Sequence, residues 1–278
     1  MAIDKLIRKF FKKIQPPGFF THYDYMSSLA PSVPEYTEFS ALLERQLGPM
    51  QGFADTIRAQ DDFFAKTLAP GASVSWETNW LGPLDCAAIY SAIPHFRPAK
   101  IVEIGSGNST HFMMQAVKDH GLATQITCID PAPRKSISAL DVQFQERILS
   151  PQDASVTDQL GANDILFVDS SHLLQEGYDV DIIFNRLIPR LNRGVAVHVH
   201  DIFLPDPYPK HWKERHYNEQ TVLGGWLFSG AFEVVFACSF VSTRHPELLT
   251  EISKSIPHIS SSGGGSLWLR KTTEPIRP

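Results

Sequence analysis

Ten consecutive residues, Ile101 to Thr110, constrain this chain more than any others. An apolar run carries an acid at Glu103, passes through glycine at 105 and 107, and opens into Asn108-Ser109-Thr110, the start of a segment of helical character. Glycine at those positions removes Cβ atoms that would block a close approach and permits positive φ in the turn. A parallel sheet uses this design where its backbone must come close to a nucleotide-like ligand. Glu103 falls at the strand end, where its carboxylate can face a group held over the turn. The third glycine of a dinucleotide fingerprint is missing, because Ser109-Thr110-His111 stands in its place.

The segments that follow repeat the pattern. Gln125 to Ile129 is a strand candidate ending at Asp130, about 25 residues after the turn, the spacing of a ribose-binding acid. Glu146 to Leu149 leads into Ser150-Pro151-Gln152-Asp153 as a third strand. Asp164 to Val168 is nearly all apolar, as a strand buried on both faces should be, and ends at Asp169-Ser170-Ser171-His172. Gly194 to His200 ends at Asp201. Four strands thus finish on an acid or an acid-bearing loop. Ligands of open α/β sheets sit at the carboxyl ends of the strands, so acids gather there for a reason.

These residues resemble the class I S-adenosylmethionine-dependent methyltransferases, in particular a bacterial branch with Val168-Asp169-Ser170-Ser171-His172 and His198-Val199-His200-Asp201-Ile202-Phe203 motifs. The resemblance spans approximately residues 80 to 245. It implies that Glu103, Gly105, Ser106 and Gly107 line the methionine side of S-adenosyl-L-methionine, with Asp169 beside them. It further implies that Asp130 takes the ribose hydroxyls and that the loop around Gln152 and Asp153 borders the adenine. Asn108 departs from the pattern, where many relatives carry glycine or a bulky residue.

The expected chemistry rests on Asp169, His172, His200 and Asp201. Strand side chains alternate, so His198 and His200 share a face while Asp201 begins the exit loop. An imidazole with an ordinary pKa near 6.5 can take a proton from an acceptor hydroxyl as methyl moves, and His200 or His172 is placed for that role. His198 reads as a hydrogen-bonded core histidine. Asp169 and Asp201 also occupy the places where catechol-type O-methyltransferases hold magnesium, and Asp169, His200 and Asp201 form a candidate divalent-metal set. The amide that supplies the usual third ligand is absent, with Ile202 in its place. After the fifth strand, a proline-stiffened loop carries Tyr208, Trp212, Tyr217 and Glu219, expected to shape the acceptor pocket as a lid. Ser260 to Gly265 reads as a flexible loop by composition. It separates two final strands, Phe232 to Ala237 and Ser266 to Arg270.

The net charge of -5 argues against broad nucleic-acid binding. Three cysteines without CxxC spacing fit a reducing compartment, and a cytoplasmic protein is expected. Residues 1–14 place Ile3, Leu6, Ile7, Phe10, Phe11 and Ile14 on one helical face and five basic residues on the other. Such a helix can lie on an anionic membrane surface, pack on the main domain, or meet a partner subunit as in a homo-oligomer. Residues 38–47 read as a helix stopping at Gly48-Pro49, and Phe53 to Phe64 as a second one. Packing is the expected role of Trp76 and Trp80.

The chain is therefore expected to be an α/β protein with a Rossmann-like fold: a helical extension over residues 1–80, then a mostly parallel sheet with an antiparallel edge strand over 81–278. The expected activity is methyl transfer from S-adenosylmethionine to a small-molecule oxygen, with nitrogen or carbon acceptors open. A nicotinamide-dependent oxidoreductase and a non-catalytic scaffold that keeps the cofactor fold are the alternatives.

Overall fold

The computed structural model describes residues 28, 33–68, 74–76, 80–250, 252–256, 259 and 263–277. Residues 35–278 form one compact unit and residues 1–34 another. The basic helix expected over residues 1–14 lies outside the described residues. Among the described residues, no helix is long and apolar enough to cross a membrane.

Among the described residues four helices precede the sheet, the first three being α1 (Thr37–Glu44), α2 (Leu47–Arg58) and α3 (Asp61–Thr67). Gly48-Pro49 does not stop a helix here. It lies in the first turn of α2, where the missing proline N–H would have no helical partner in any case. Helix α4 (Pro83–Phe96) starts with proline at its first position, and Asp85 accepts a hydrogen bond from the Gly82 N–H at 3.1 Å. Apolar nearly all round, α4 is buried along most of its length.

The sheet contains β1 (Lys100–Ile104), β2 (Gln125–Ile129), β3 (Gln143–Gln145), β4 (Ile165–Val168), β5 (Ala196–Val199), β6 (Phe232–Ala237) and β7 (Leu267–Lys271). Their order is β3-β2-β1-β4-β5-β7-β6. Strands β1 to β5 pair in parallel, and β7 runs antiparallel to both β5 and β6. All four residues of β4 are fully buried, so the sheet is covered on both faces. Helix α5 (Asn108–Asp119) joins β1 to β2. After β4, α6 (Asp179–Ile182) runs through a π-helical turn, Ile183–Leu187, into α7 (Ile188–Arg190). Helix α8 (Glu219–Phe228) precedes β6, with α9 (Cys238–Arg244) and α10 (Ile252–Ser255) between β6 and β7. The third strand sits three residues earlier than the sequence suggests: Gln143-Phe144-Gln145 pairs with β2, while Ile148 is 72% exposed beyond it.

The register aligns Phe144, Cys128, Glu103, Phe167, His198, Trp268 and Phe236 in one row across the sheet. Phe167 and His198 stack at 3.8 Å, and Trp268 packs on Phe53 of α2 and Phe96 of α4 at 6.2 and 6.0 Å. His198 is a core histidine: Nε2 meets Ser266 Oγ at 3.0 Å, and burial drives its pKa well down. The parallel ladder continues past the strand ends, with N–H groups of Gly105, Asp130, Asp169 and His200 donating to the neighbouring strands. Those residues lie two positions beyond the row, so they share its face at the carboxyl edge.

The chain runs outward from β1 to β3 and returns at β4, so the strand order reverses between β1 and β4. There the backbone closes up. A Cβ at Gly105, whose φ is +81, would lie 1.8 Å from the Asp169 carbonyl oxygen. Gly105→Ala is expected to cost about 3 kcal/mol or more, since either the turn or β4 must shift. Gly121→Ala, at φ +59 with nothing nearby, should cost only about 1 kcal/mol of backbone strain. Urea unfolding of both variants checks the difference.

Candidate functional site

A cavity of about 280 Å³ opens at the switch point. The Gly105-Ser106 turn, Asn108 and Ser109 line one side, Asp130 and Arg134 another, with Asp169 and Ser170 at the end of β4. Ile148 and Leu149 add an apolar wall. Trp80 lines the cavity as well, with the Arg134 guanidinium 4.1 Å above its ring. Trp76 instead packs among Phe64 and Phe112 and donates from Nε1 to Thr67 Oγ1 at 2.9 Å.

Asp130 shapes the turn. Its Oδ2 accepts from the Ser106 N–H and Oγ at 2.6 and 3.1 Å, and Oδ1 accepts from the Ala132 N–H at 2.7 Å. Oδ1 keeps an acceptor site for a ligand hydroxyl.

Glu103 is fully buried and does not line the cavity. Its oxygens accept from Ser109 Oγ at 2.6 Å, Thr110 Oγ1 at 2.7 Å and the Cys128 thiol at 3.2 Å, so it ties the first turn of α5 to β1. Gly107 is also outside the lining, at the N-terminus of α5, with Thr110 Oγ1 accepting its N–H. Gln152 is exposed, and Asp153 closes the turn before it by accepting from the Ser150 N–H and Oγ and from both Arg147 amino groups. Where the sequence reading placed Gln152 and Asp153 beside the ligand, the structure places Ile148 and Leu149.

A cluster of charge lies behind Asp169. His172, 1% exposed, brings Nδ1 to 2.8 Å from Glu219 Oε2 and Nε2 to 3.4 Å from both Asp169 Oδ1 and Asp201 Oδ2. Burial opposes its charge, yet the Asp169 and Glu219 carboxylates outweigh it and raise its pKa well above the usual histidine range. His200 Nε2 faces the Trp80 carbonyl at 3.1 Å and Asp201 Oδ1 at 3.4 Å. Its pKa is also raised: burial resists, but Asp169, Asp201 and Asp85 prevail. Burial raises Asp169 too, but the nearby His200, His172 and Arg134 overcome it and hold the group well below the carboxylate range. Burial pushes Asp201 upward, with the two histidines opposing. His172 and Asp201 both adopt positive φ, +61 and +57, which turns their side chains toward one another at a conformational cost.

The structure thus brings Asp169, His172, His200 and Asp201 together, but of these only Asp169 lines the cavity. The metal set expected from the sequence does not fit an ion. Among the described residues, no group of three His, Cys, Asp or Glu side chains could hold one, and the His172 ring stands between the two carboxylates. Glu219, expected in the acceptor pocket, is fully buried against His172. Tyr208, Trp212 and Tyr217 form an aromatic group with Phe203, and Tyr217 lies 4.5 Å from the His172 ring.

Sequence reasoning missed Asp85 and the glycines opposite it. Asp85 Oδ1 accepts from the Ser266 N–H at 2.8 Å and Oδ2 from the Gly265 N–H at 3.2 Å. Gly264 and Gly265 are buried where a loop was expected, because a Cβ would meet Asp85 and Cys238 or the Asp201 backbone within 3.0 Å. An acid three residues after Gly82, with proline between them at 83, was the available signal.

Residues 102–202, from within β1 to just beyond Asp201, match a family model described as a methyltransferase domain. No curated protein matches the chain. Among solved structures, an apo structure of CmcI shares 15% identity over 68% of this chain and 71% of that one, with a TM-score of 0.42. The SAH-bound methyltransferase PaMTH1 of Podospora anserina shares 15% over 88% of this chain and 100% of its own, at 0.42. The branched-chain polyamine synthase of Thermus thermophilus shares 10% over 80% and 65%, at 0.42.

Burial raises the Glu103 pKa to about 7, against the lowering effect of the Ser109, Thr110 and Cys128 hydrogen bonds, with Asp169 adding a small increase. The folded chain therefore holds this proton more tightly than the unfolded one, where glutamate titrates near ~4.3. Its contribution to stability is full below the unfolded value and is lost as pH rises through about 7. Glu103→Gln cannot ionise, so the loss of stability between about pH 5 and about pH 8 should shrink by up to ~3 kcal/mol. Urea unfolding at the two pH values measures it.

Proposed function

We propose that this chain transfers the methyl group of S-adenosylmethionine to an oxygen of a small-molecule acceptor. The observation that carries the reading is the cavity at the switch point, bounded by the Gly105 turn, Asp130 and Asp169. In this reading Asp130 Oδ1 accepts a ribose hydroxyl, and Ile148 and Leu149 flank the adenine. Asp169 Oδ1 is buried without a hydrogen bond, beyond its loose ion pair with His172. Held ionised, that oxygen suits the cationic half of the donor. The match of residues 102–202 to a methyltransferase domain supports the same assignment.

Methyl transfer from a sulfonium is an in-line displacement, and positioning supplies much of the rate. His200 and His172 lie behind the cavity wall, so in this reading they act through Asp169 and Asp201. They keep the carboxylates oriented, with Asp169 held ionised at the cavity wall. The Tyr208, Trp212 and Tyr217 loop packs on this cluster through the Tyr217 ring against His172.

Calorimetric titration with S-adenosylhomocysteine, with NAD as control, tests the cofactor. S-adenosylhomocysteine should bind and NAD should not, and Asp130→Ala should weaken the former by at least about tenfold, the loss of one hydrogen bond to a charged group. Preferential NAD binding would point to an oxidoreductase, and binding of neither would sink both readings. In a methyl-transfer assay, Asp169→Asn should reduce turnover more than His200→Ala does. The reverse order would return the base role to His200.

A further inference from the structure

We propose that His172 takes the place of a bridging metal ion: its imidazole, backed by Glu219, holds the Asp169 and Asp201 carboxylates together and leaves no divalent-cation site between them. The inference concerns the architecture of the site and does not depend on which group is transferred there.

Asp169 and Asp201 follow adjacent parallel strands, β4 and β5, so their carboxylates are brought side by side in a largely buried setting. Two such charges repel strongly at low dielectric unless a cation or a proton lies between them. A magnesium ion would do this with oxygen ligands at about 2.0–2.1 Å and several waters. Here the position is taken by a ring nitrogen. His172 Nε2 is 3.4 Å from an oxygen of each carboxylate, an equal division between the two.

The opposite nitrogen decides the ring's state by hydrogen-bond counting. Nδ1 meets Glu219 Oε2 at 2.8 Å, and Glu219 is fully buried in the first turn of α8. A neutral imidazole has one N–H, and an ionised carboxylate only accepts. Where the carboxylates on both sides are ionised, the ring needs both protons. The charged groups facing this assembly are Asp169, Asp201, Glu219 and His200, with Arg134 beside Asp169, Asp85 near His200 and Asp201, and Asp179 near Glu219.

The ring is also built in. The His172 carbonyl accepts from the Asn218 N–H at 3.1 Å, and Asn218 Oδ1 accepts from the Leu174 N–H at 2.6 Å. Asn218 Nδ2 donates back to the Leu174 carbonyl at 3.3 Å, so the loop after β4 is latched to the start of α8. The Tyr217 ring packs against the imidazole. Ile202, next to Asp201, is buried and offers no ligand atom.

The test uses Mn2+ binding to the purified full-length chain, followed by electron paramagnetic resonance. Wild type should show no saturable site, and His172→Ala should gain one saturable site per chain, since the two carboxylates then lack their bridging ring. One Mn2+ per wild-type chain, lost in Asp201→Asn, overturns the proposal, as does a folded His172→Ala that gains nothing. If His172→Ala does not fold, the 15N spectrum of the wild-type ring decides: protons on both nitrogens at neutral pH are expected, and a single proton overturns it. Neither readout uses the methyl donor, so failure here and failure of the proposed activity are separately visible.

Discussion

At the centre of this molecule the Asp169 carbonyl passes so close to residue 105 that only a hydrogen atom fits on the Cα between them. That contact joins the exit of β1 to the exit of β4 at the point where the strand order reverses. Its consequences are geometric. The Gly105 turn becomes the floor of the cavity, the Asp169 carboxylate stands at its wall, and the N-terminus of α5 is directed toward the opening. Asp130 fixes the same turn from the β2 side through Ser106. Two backbone constraints, one steric and one a set of short hydrogen bonds, thus define the site before any catalytic side chain is considered.

Burying so many acids near one edge has an electrostatic cost, and the fold offsets it in three ways. Glu103 is satisfied by neutral hydroxyls and a thiol, and burial raises its pKa to about 7 against those hydrogen bonds. Asp85 is satisfied by backbone N–H groups from the loop before β7 and from the start of its own helix. Asp169, Asp201 and Glu219 instead share the two histidines, which hold Asp169 ionised while both rings are driven toward their charged form. Removing one partner from such a cluster leaves a buried charge unpaired, which makes these residues interdependent.

Residues whose position follows from local rules were legible. Buried apolar runs gave the strands, and acids after them gave Asp130, Asp169 and Asp201 their place at the carboxyl edge. The third strand was misread by three residues because Ile148 and Leu149 look like strand core. They are apolar for another reason: they wall the cavity. Gly264 and Gly265 look like linker by composition, yet they are buried because backbone must pass Asp85 and Asp201 without a Cβ. Glu219 reads as a polar residue of a lid, and only its contact with His172, 47 positions away, shows it to be internal.

The sequence alone determined the strand-and-turn grammar, because periodicity, glycine conformational freedom and acid placement are properties of short segments. It therefore determined an α/β sheet with its acids gathered at the carboxyl edge, where the cavity opens. Tertiary structure decided how the polar groups pair. Whether Glu103 faces a ligand or two hydroxyls, and whether His172 is a free base or a cation between carboxylates, depends on distances of 2.6 to 3.4 Å. Such distances are set by loops folded together from distant parts of the chain, and burial then fixes the charge each group can carry.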